Sequence, residues 1–261
     1  MMSVVVLVVA LAVDASYITA SPSSEQAFKT ATLLKTLSVN SLITGEIGVG
    51  KKSLAKYILP DAPVLDASTF DEILNACESS SEIIITNLEN IPNTKRTFEI
   101  IKSKNIRVIA TAKSLYNNEY IDDFFSVKFD IPPLSQRLED IDQLVKMFTI
   151  EASLLFSTNE DFNMKNFKPD LSQNSNSLRR QVMISYLLQD IKDTELMDIV
   201  QNYLLDKLGS NNDYKNFLHI YEVPLIKAGL HRFKSQLQLS DKLGLNRNTL
   251  RKKIAENDEY L

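Results

Sequence analysis

The chain has 261 residues, 44% hydrophobic and 24% charged, a composition that supports a sizeable core in one large domain or two smaller ones. Cys77 is the only cysteine, which excludes an intramolecular disulfide, and two histidines, His219 and His231, leave little for a histidine-based metal site or triad. Net charge is −4, yet residues 227–254 hold eight Lys/Arg against one acid, Asp241; that stretch is +7 and the remainder −11, which predicts a polyanion-binding end on an acidic body, while the lone cysteine fits a reducing cytoplasm.

The apolar run Val4 to Val13 is too short to span a bilayer. No Lys or Arg precedes it, so the charged start of a secretion signal is missing, and its valines predict a buried strand. Ser21-Pro22-Ser23-Ser24-Glu25 then reads as a helix start, with Ala27, Phe28, Ala31, Leu34 and Leu37 at near-helical spacing.

Next comes an apolar strand, Val39 to Ile43, a glycine-rich turn and a helix from Lys51 to Ile58, read as GxxxxGK. In this order the loop amides and the helix N-terminus cradle phosphate oxygens, the glycines allow the tight turn, and Lys51 supplies a point charge. The predicted nucleotide contacts are Gly45, Glu46, Gly48, Val49, Gly50, Lys51 and Lys52, with ATP or ADP as ligand. Lys52 replaces the usual hydroxyl and Ser53 stands one residue too far along, so Mg²⁺ stays an open question. The bland alternative is an ordinary glycine-rich strand-to-helix turn.

Pro60 and Pro63 break the chain before a short strand at Val64 to Asp66 and a helix at Phe70 to Ala76. Glu82 to Asn87 is a further apolar strand, and its end is where a nucleotide hydrolase keeps its carboxylates. Thr86 and Asn87 occupy those positions, and Glu89 lies off the strand end, so hydrolysis is expected to be absent or very slow. A helix at Lys95 to Lys102 and strands at Ile106 to Thr111 and Val127 to Ile131 complete an alternation that predicts a parallel sheet covered on both faces.

From Leu134 the pattern turns helical: Arg137 to Ile141 opens a helix through Leu155, a polar loop spans 157–177, and Val182, Ile184, Leu187, Leu188, then Leu196, Ile199, Val200, Tyr203 and Leu204 predict two core-facing helices. Leu208 to Asn212 reads as a linker. A helix from Phe217 to Phe233 then leads to Leu237 to Leu243, a turn at Gly244-Leu245-Asn246, and Arg247 to Ala255. That is a helix-turn-helix with a small core of Leu239, Leu243, Leu245, Leu250 and Ile254. Gln236, Asn246, Arg247, Asn248, Thr249, Arg251, Lys252 and Lys253 are the predicted DNA contacts, Lys252 and Lys253 on the backbone; a solvated basic helix is the plain alternative.

These stretches together resemble the NtrC-like bacterial enhancer-binding proteins, AAA+ activators that end in a Fis-type helix-turn-helix. Thr44 to Lys51 resembles that family's phosphate loop, which also lacks the following hydroxyl. Ile131 to Ile141 resembles the segment leading into the helical lid, Ser177-Leu178-Arg179-Arg180-Gln181 the second-sensor stretch, and Gly244 to Lys253 the Fis recognition region. The resemblance implies an AAA+ P-loop parallel sheet at 1–134, a helical lid at 135–208, an all-α Fis-type domain at 213–261, and Arg179 as the lid arginine.

This sequence also departs from the family. Only a short strand and helix separate the phosphate-loop helix from Thr86, which leaves no room for the loop that engages the RpoN-type sigma factor, and Tyr120 to Phe125 lacks the paired arginines inserted into a neighbour's site. No receiver domain is legible ahead of the body. The expectation is therefore a cytoplasmic, nucleoid-associated transcriptional regulator that binds double-stranded DNA as a homodimer or higher oligomer, away from membranes, with RNA polymerase a candidate partner and a degenerate AAA+ body that binds nucleotide without hydrolysis. The alternatives are an active RpoN-type activator and a Fis-like architectural DNA-bending protein.

Overall fold

The computed structural model describes residues 17–156, 162 and 167–261, and the strand expected at Val4 to Val13 lies outside them. The chain falls into two compact units that divide between Asp190 and Ile191.

The first unit opens on helix α1 (Pro22–Thr36), where the Ser21 hydroxyl accepts the Ser24 amide and Pro22 fills a first-turn position that needs no N–H. Strands β1 (Ser41–Gly45), β2 (Val64–Asp66), β3 (Glu82–Thr86), β4 (Arg107–Ala112) and β5 (Val127–Ile131) form one sheet in the order β2-β3-β4-β1-β5, every neighbouring pair parallel. Helices α2 (Lys51–Ile58), α3 (Phe70–Ser79), α4 (Thr94–Ser103) and the single turn α5 (Ile121–Phe124) link them. The first strand starts at Ser41 rather than Val39, because Asn40 is already a connector: its side chain accepts the Val108 amide and its carbonyl the Ser126 amide.

Both sheet faces are buried, which is why the strands read as unbroken apolar runs. Ile43, Ile84 and Ile109 pack with α1 and α2, while Leu42, Ile83, Ile85, Val108 and Ala110 pack with α3, α4 and Phe125. Ile84 is fully buried, so Ile84→Ala would cost about 2–5 kcal/mol. β1 is interior, and the chain leaves it for strands on one side while β5 lies on the other. The carboxyl end of such a switch strand is where open α/β sheets bind ligands.

After one 3₁₀ turn, Leu134–Gln136, helices α6 (Glu139–Phe156) and α7 (Ser175–Leu188), the pair read as a lid from the sequence, pack through Ile141, Val145 and Phe148 against Leu178 and Val182.

The second unit contains α8 (Asp193–Leu205), α9 (Asp213–Phe217), α10 (His219–Phe233), α11 (Gln236–Leu243) and α12 (Arg247–Glu256). Its core is Ile226, Leu239 and Leu250 with Leu230, Phe233, Leu243, Leu245 and Ile254 around them. Helix 193–205, placed in the lid by its sequence, groups with this unit, and the helix expected from Phe217 begins at His219 after a separate short helix. α8 also departs from the core-facing role its periodicity predicts. None of its thirteen residues is buried, and Leu196, Ile199 and Tyr203 are about half exposed, because its apolar stripe meets no second layer among the described residues.

Candidate functional site

The turn between β1 and α2 is built on backbone conformations that side chains resist. Gly48 and Gly50 take φ of 79° and 101°, and a Cβ on Gly48 would lie 2.3 Å from the Gln173 carbonyl oxygen. Each carbonyl of the turn has a protein donor. The Lys51 ammonium donates to Gly45 O at 2.6 Å and Glu46 O at 2.7 Å, and the Asn174 amide to Ile47 O at 2.9 Å. Ser175 donates to Gly48 O through its N–H at 3.1 Å and its hydroxyl at 2.6 Å, the Arg137 guanidinium to Val49 O at 3.1 Å, and the Leu54 amide to Gly50 O at 3.1 Å. In a trans peptide the N–H points away from the preceding carbonyl. The carbonyls of Ile47, Gly48 and Val49, held by Asn174, Ser175 and Arg137 from outside the loop, therefore turn the amides of residues 48–50 away from those donors, and the first-turn N–H groups of α2 add donors that the helix itself leaves unused.

Burial pushes the Lys51 ammonium below its ordinary pKa, and the carboxylates of Glu89, Asp130 and Glu46 pull it back up. Glu89 stands in the 3₁₀ turn Leu88–Asn90 after β3, its carboxylate accepting the Lys113 amide at 3.2 Å. The strand end itself carries no carboxylate. Thr86 donates to Leu65 O at 3.0 Å, and Asn87, at φ 55°, donates to Asp66 Oδ2 at 2.7 Å, so both side chains are committed to β2. Acidic groups thus stand around Lys51, supplied by the turn after β3 and by the ends of β1 and β5.

Sequence reasoning missed two groups behind the loop. Arg137 and Asp140, at 4% and 0% exposure, form a buried ion pair at 3.2 Å. The Asp140 carboxylate also accepts the amides of Ala20 and Ser21 and the hydroxyls of Ser21 and Ser24, while Arg137 reaches Ser24 as well as Val49 O. The available signal was the i, i+3 pairing of Arg137 with Asp140 at a helix start. Arg179 is bound by the Glu151 carboxylate of α6, its Nε at 2.9 Å. A shallow cleft of about 380 Å³ opens beside Thr44, Tyr116, Asn117, Asp122 and Asp130; it reaches the start of the phosphate loop at Thr44, but no residue from Gly45 to Lys52 lines it.

In the second unit Ser235 caps α11, its hydroxyl accepting the Gln238 amide at 3.4 Å, Gly244 ends it at φ 64°, and Asn246 caps α12, its side chain accepting the Asn248 amide at 2.9 Å. Gln236, Asn246, Arg247, Asn248, Thr249, Arg251 and Lys252 are exposed. Lys253 is different. It is half-buried and ion-paired with Glu222 of α10, because it lies three residues beyond the buried anchor Leu250 and so on the core side of its helix.

No family model matches the chain, and no curated protein matches it. Among solved structures, NtrX from Brucella abortus in complex with ADP superposes with a TM-score of 0.58 at 15% identity, over 92% of this chain and 68% of that one. The same protein in complex with ATP gives 0.54 at 16% identity, over 92% and 69%. A third NtrX structure gives 0.52 at 17%, over 92% and 68%. At these identities the likeness concerns the fold alone: a five-stranded parallel sheet covered by helices, with a glycine-rich strand-to-helix loop at the carboxyl end of β1.

Proposed function

We propose that this chain is a DNA-binding transcriptional regulator whose AAA+ body binds ATP or ADP at Gly45 to Lys52 with little or no turnover, and whose α11 and α12 read double-stranded DNA as a Fis-type helix-turn-helix. The observation that carries the nucleotide half is the set of three consecutive carbonyls, Ile47 to Val49, engaged from outside the loop by Asn174, Ser175 and Arg137, which leaves the amides of residues 48–50 on the other side beside Lys51 as donors for phosphate. The ADP and ATP in the NtrX structures support the same choice of ligand. Thr86 and Asn87 in place of carboxylates support binding without hydrolysis. The basic outward face of α12 supports DNA, and the absence of room for a sigma-contact loop supports action independent of the RpoN-type sigma factor. Calorimetry with ADP tests the nucleotide half: one site per chain, lost in Lys51→Ala, is the expected result, and no heat at millimolar ADP would remove it.

One observation favours a second reading, an active ATPase: Glu89 faces Lys51 from the turn after β3. Steady phosphate release from ATP that disappears in both Lys51→Ala and Glu89→Gln would establish turnover with Glu89 in the water-orienting role.

A further inference from the structure

Asn174 joins the lid to the phosphate loop through one buried side chain. It precedes α7, is 2% exposed, and has φ 53° with ψ −129°, a conformation that non-glycine residues rarely adopt and that persists where surrounding contacts enforce it. Its Oδ1 accepts the Leu134 amide at 2.6 Å, while its Nδ2 donates to Glu46 Oε2 at 3.0 Å and Ile47 O at 2.9 Å. The orientation of the amide is fixed by its partners: Leu134 N–H needs an oxygen, and the Glu46 carboxylate and Ile47 carbonyl need a donor. Ser175 continues the contact onto Gly48 O, and Gly48 has no room for a Cβ beside Gln173 O. Leu134 belongs to the entry of the lid, Glu46 and Ile47 to the loop, and Asn174 to the start of the second lid helix. Three segments far apart in sequence meet at one side chain.

We infer that Asn174 is a positioning residue of the phosphate loop: it holds the loop in its anion-binding shape and ties that shape to the seating of the lid, so that nucleotide bound at the loop is felt at residues 171–178. The inference rests on the nucleotide reading for its ligand, although the clamp itself does not need one. The strained backbone fits this role, since only a side chain that bridges loop and lid compensates for the conformation. Lys51 and the first turn of α2 supply the charge and the donors; Asn174 fixes where they stand.

Hydrogen exchange and calorimetry on the full chain test it, with Asn174→Gly as the main variant, because glycine accepts the native φ and ψ and removes only the side chain. Without nucleotide, amides 46–50 should exchange faster in Asn174→Gly than in the unsubstituted protein, while the sheet strands keep their protection. With ADP, the dissociation constant should rise about tenfold, the loss of two modest hydrogen bonds expressed as affinity, and protection of 171–178 by ADP should disappear. Ser175→Ala should show a weaker form of the same pattern. Asn174→Asp places a carboxylate against Glu46 and Ile47 O and should weaken ADP further, and adding Glu46→Gln should restore part of that loss, a rescue that general destabilisation does not give. Unchanged exchange at 46–50 in Asn174→Gly overturns the inference whether or not nucleotide binds. Faster exchange there, combined with no ADP binding by the unsubstituted protein, upholds the clamp and removes the nucleotide reading instead.

Discussion

Lys253 of α12 and Glu222 of α10 form an ion pair across the small core of the second unit, with side-chain exposures of 26% and 16%. This contact joins the helix that carries the basic face to the helix that supports it. Lys253→Ala should therefore lower the stability of the second unit by about 1–2 kcal/mol, since it leaves a mostly buried carboxylate unpaired. Chemical denaturation followed by a probe in this unit measures it. The same substitution should leave the salt dependence of DNA binding almost unchanged, in contrast to Lys252→Ala, which removes a side chain that is 77% exposed and only loosely paired with Glu256 at 3.7 Å.

Gly229 of α10 packs directly against Leu239 of α11. A Cβ on it would stand 2.2 Å from Leu239 Cδ1, and Leu239 is fully buried. Gly229→Ala should destabilise the second unit by about 1–3 kcal/mol through overpacking, even though alanine is the better helix former. A rise in its thermal midpoint would show that the helices have room to separate.

The Arg137–Asp140 pair gives a large effect in the first unit. Asp140→Ala leaves a buried guanidinium without its counter-charge and strips acceptors from the Ala20 and Ser21 amides, which should cost about 3–5 kcal/mol. Urea unfolding would register it as a lower midpoint with little change in slope. Replacing both partners by apolar residues of similar volume should cost less than Asp140→Ala alone.

Much of the body was legible in the sequence for a local reason. Ile83-Ile84-Ile85 can only be a doubly buried strand, and a strand that enters Gly-x-x-x-x-Gly-Lys before a helix specifies its own turn through glycine conformations. The groups that shape the loop from behind were not legible, because Asn174 and Arg137 reach Ile47 and Val49 across 127 and 88 positions of chain. α8 shows the opposite limit: Leu196, Ile199 and Tyr203 keep helical spacing, but periodicity does not say whether a partner is present. Lys253 was readable in principle, since its spacing from Leu250 places it on the inner face, but its charge drew it toward the DNA contacts.

Asp66 provides a pH test of the contact that occupies the end of β3. Hydrogen bonds from the Ser68 hydroxyl and amide, and then from the Asn87 side chain, hold its carboxyl below the ordinary 3.8. A depressed carboxyl contributes stability that is present above the unfolded-state value and is lost as pH falls through the lower folded value, so the window lies below 3.8. Solvent screening keeps the contribution small. Carboxyl chemical shifts should place the Asp66 midpoint below 3.8, and Ser68→Ala should move it upward more than Asn87→Ala does.

Binding of the full chain to a pool of random-sequence DNA duplexes, titrated at several salt concentrations with sequencing of the bound fraction, tests the central claim most directly. Arg247 and Arg251, four residues apart on the exposed face of α12, should read bases, and a dimer should enrich an imperfect palindrome with half-sites about one helical turn apart. Arg251→Ala should cost about 1–3 kcal/mol on the enriched site and relax its sequence preference, with affinity falling steeply as salt rises. Absence of binding at every salt concentration, or binding that neither selects a sequence nor responds to Arg247→Ala and Arg251→Ala, would contradict the assignment of the second unit as a DNA reader.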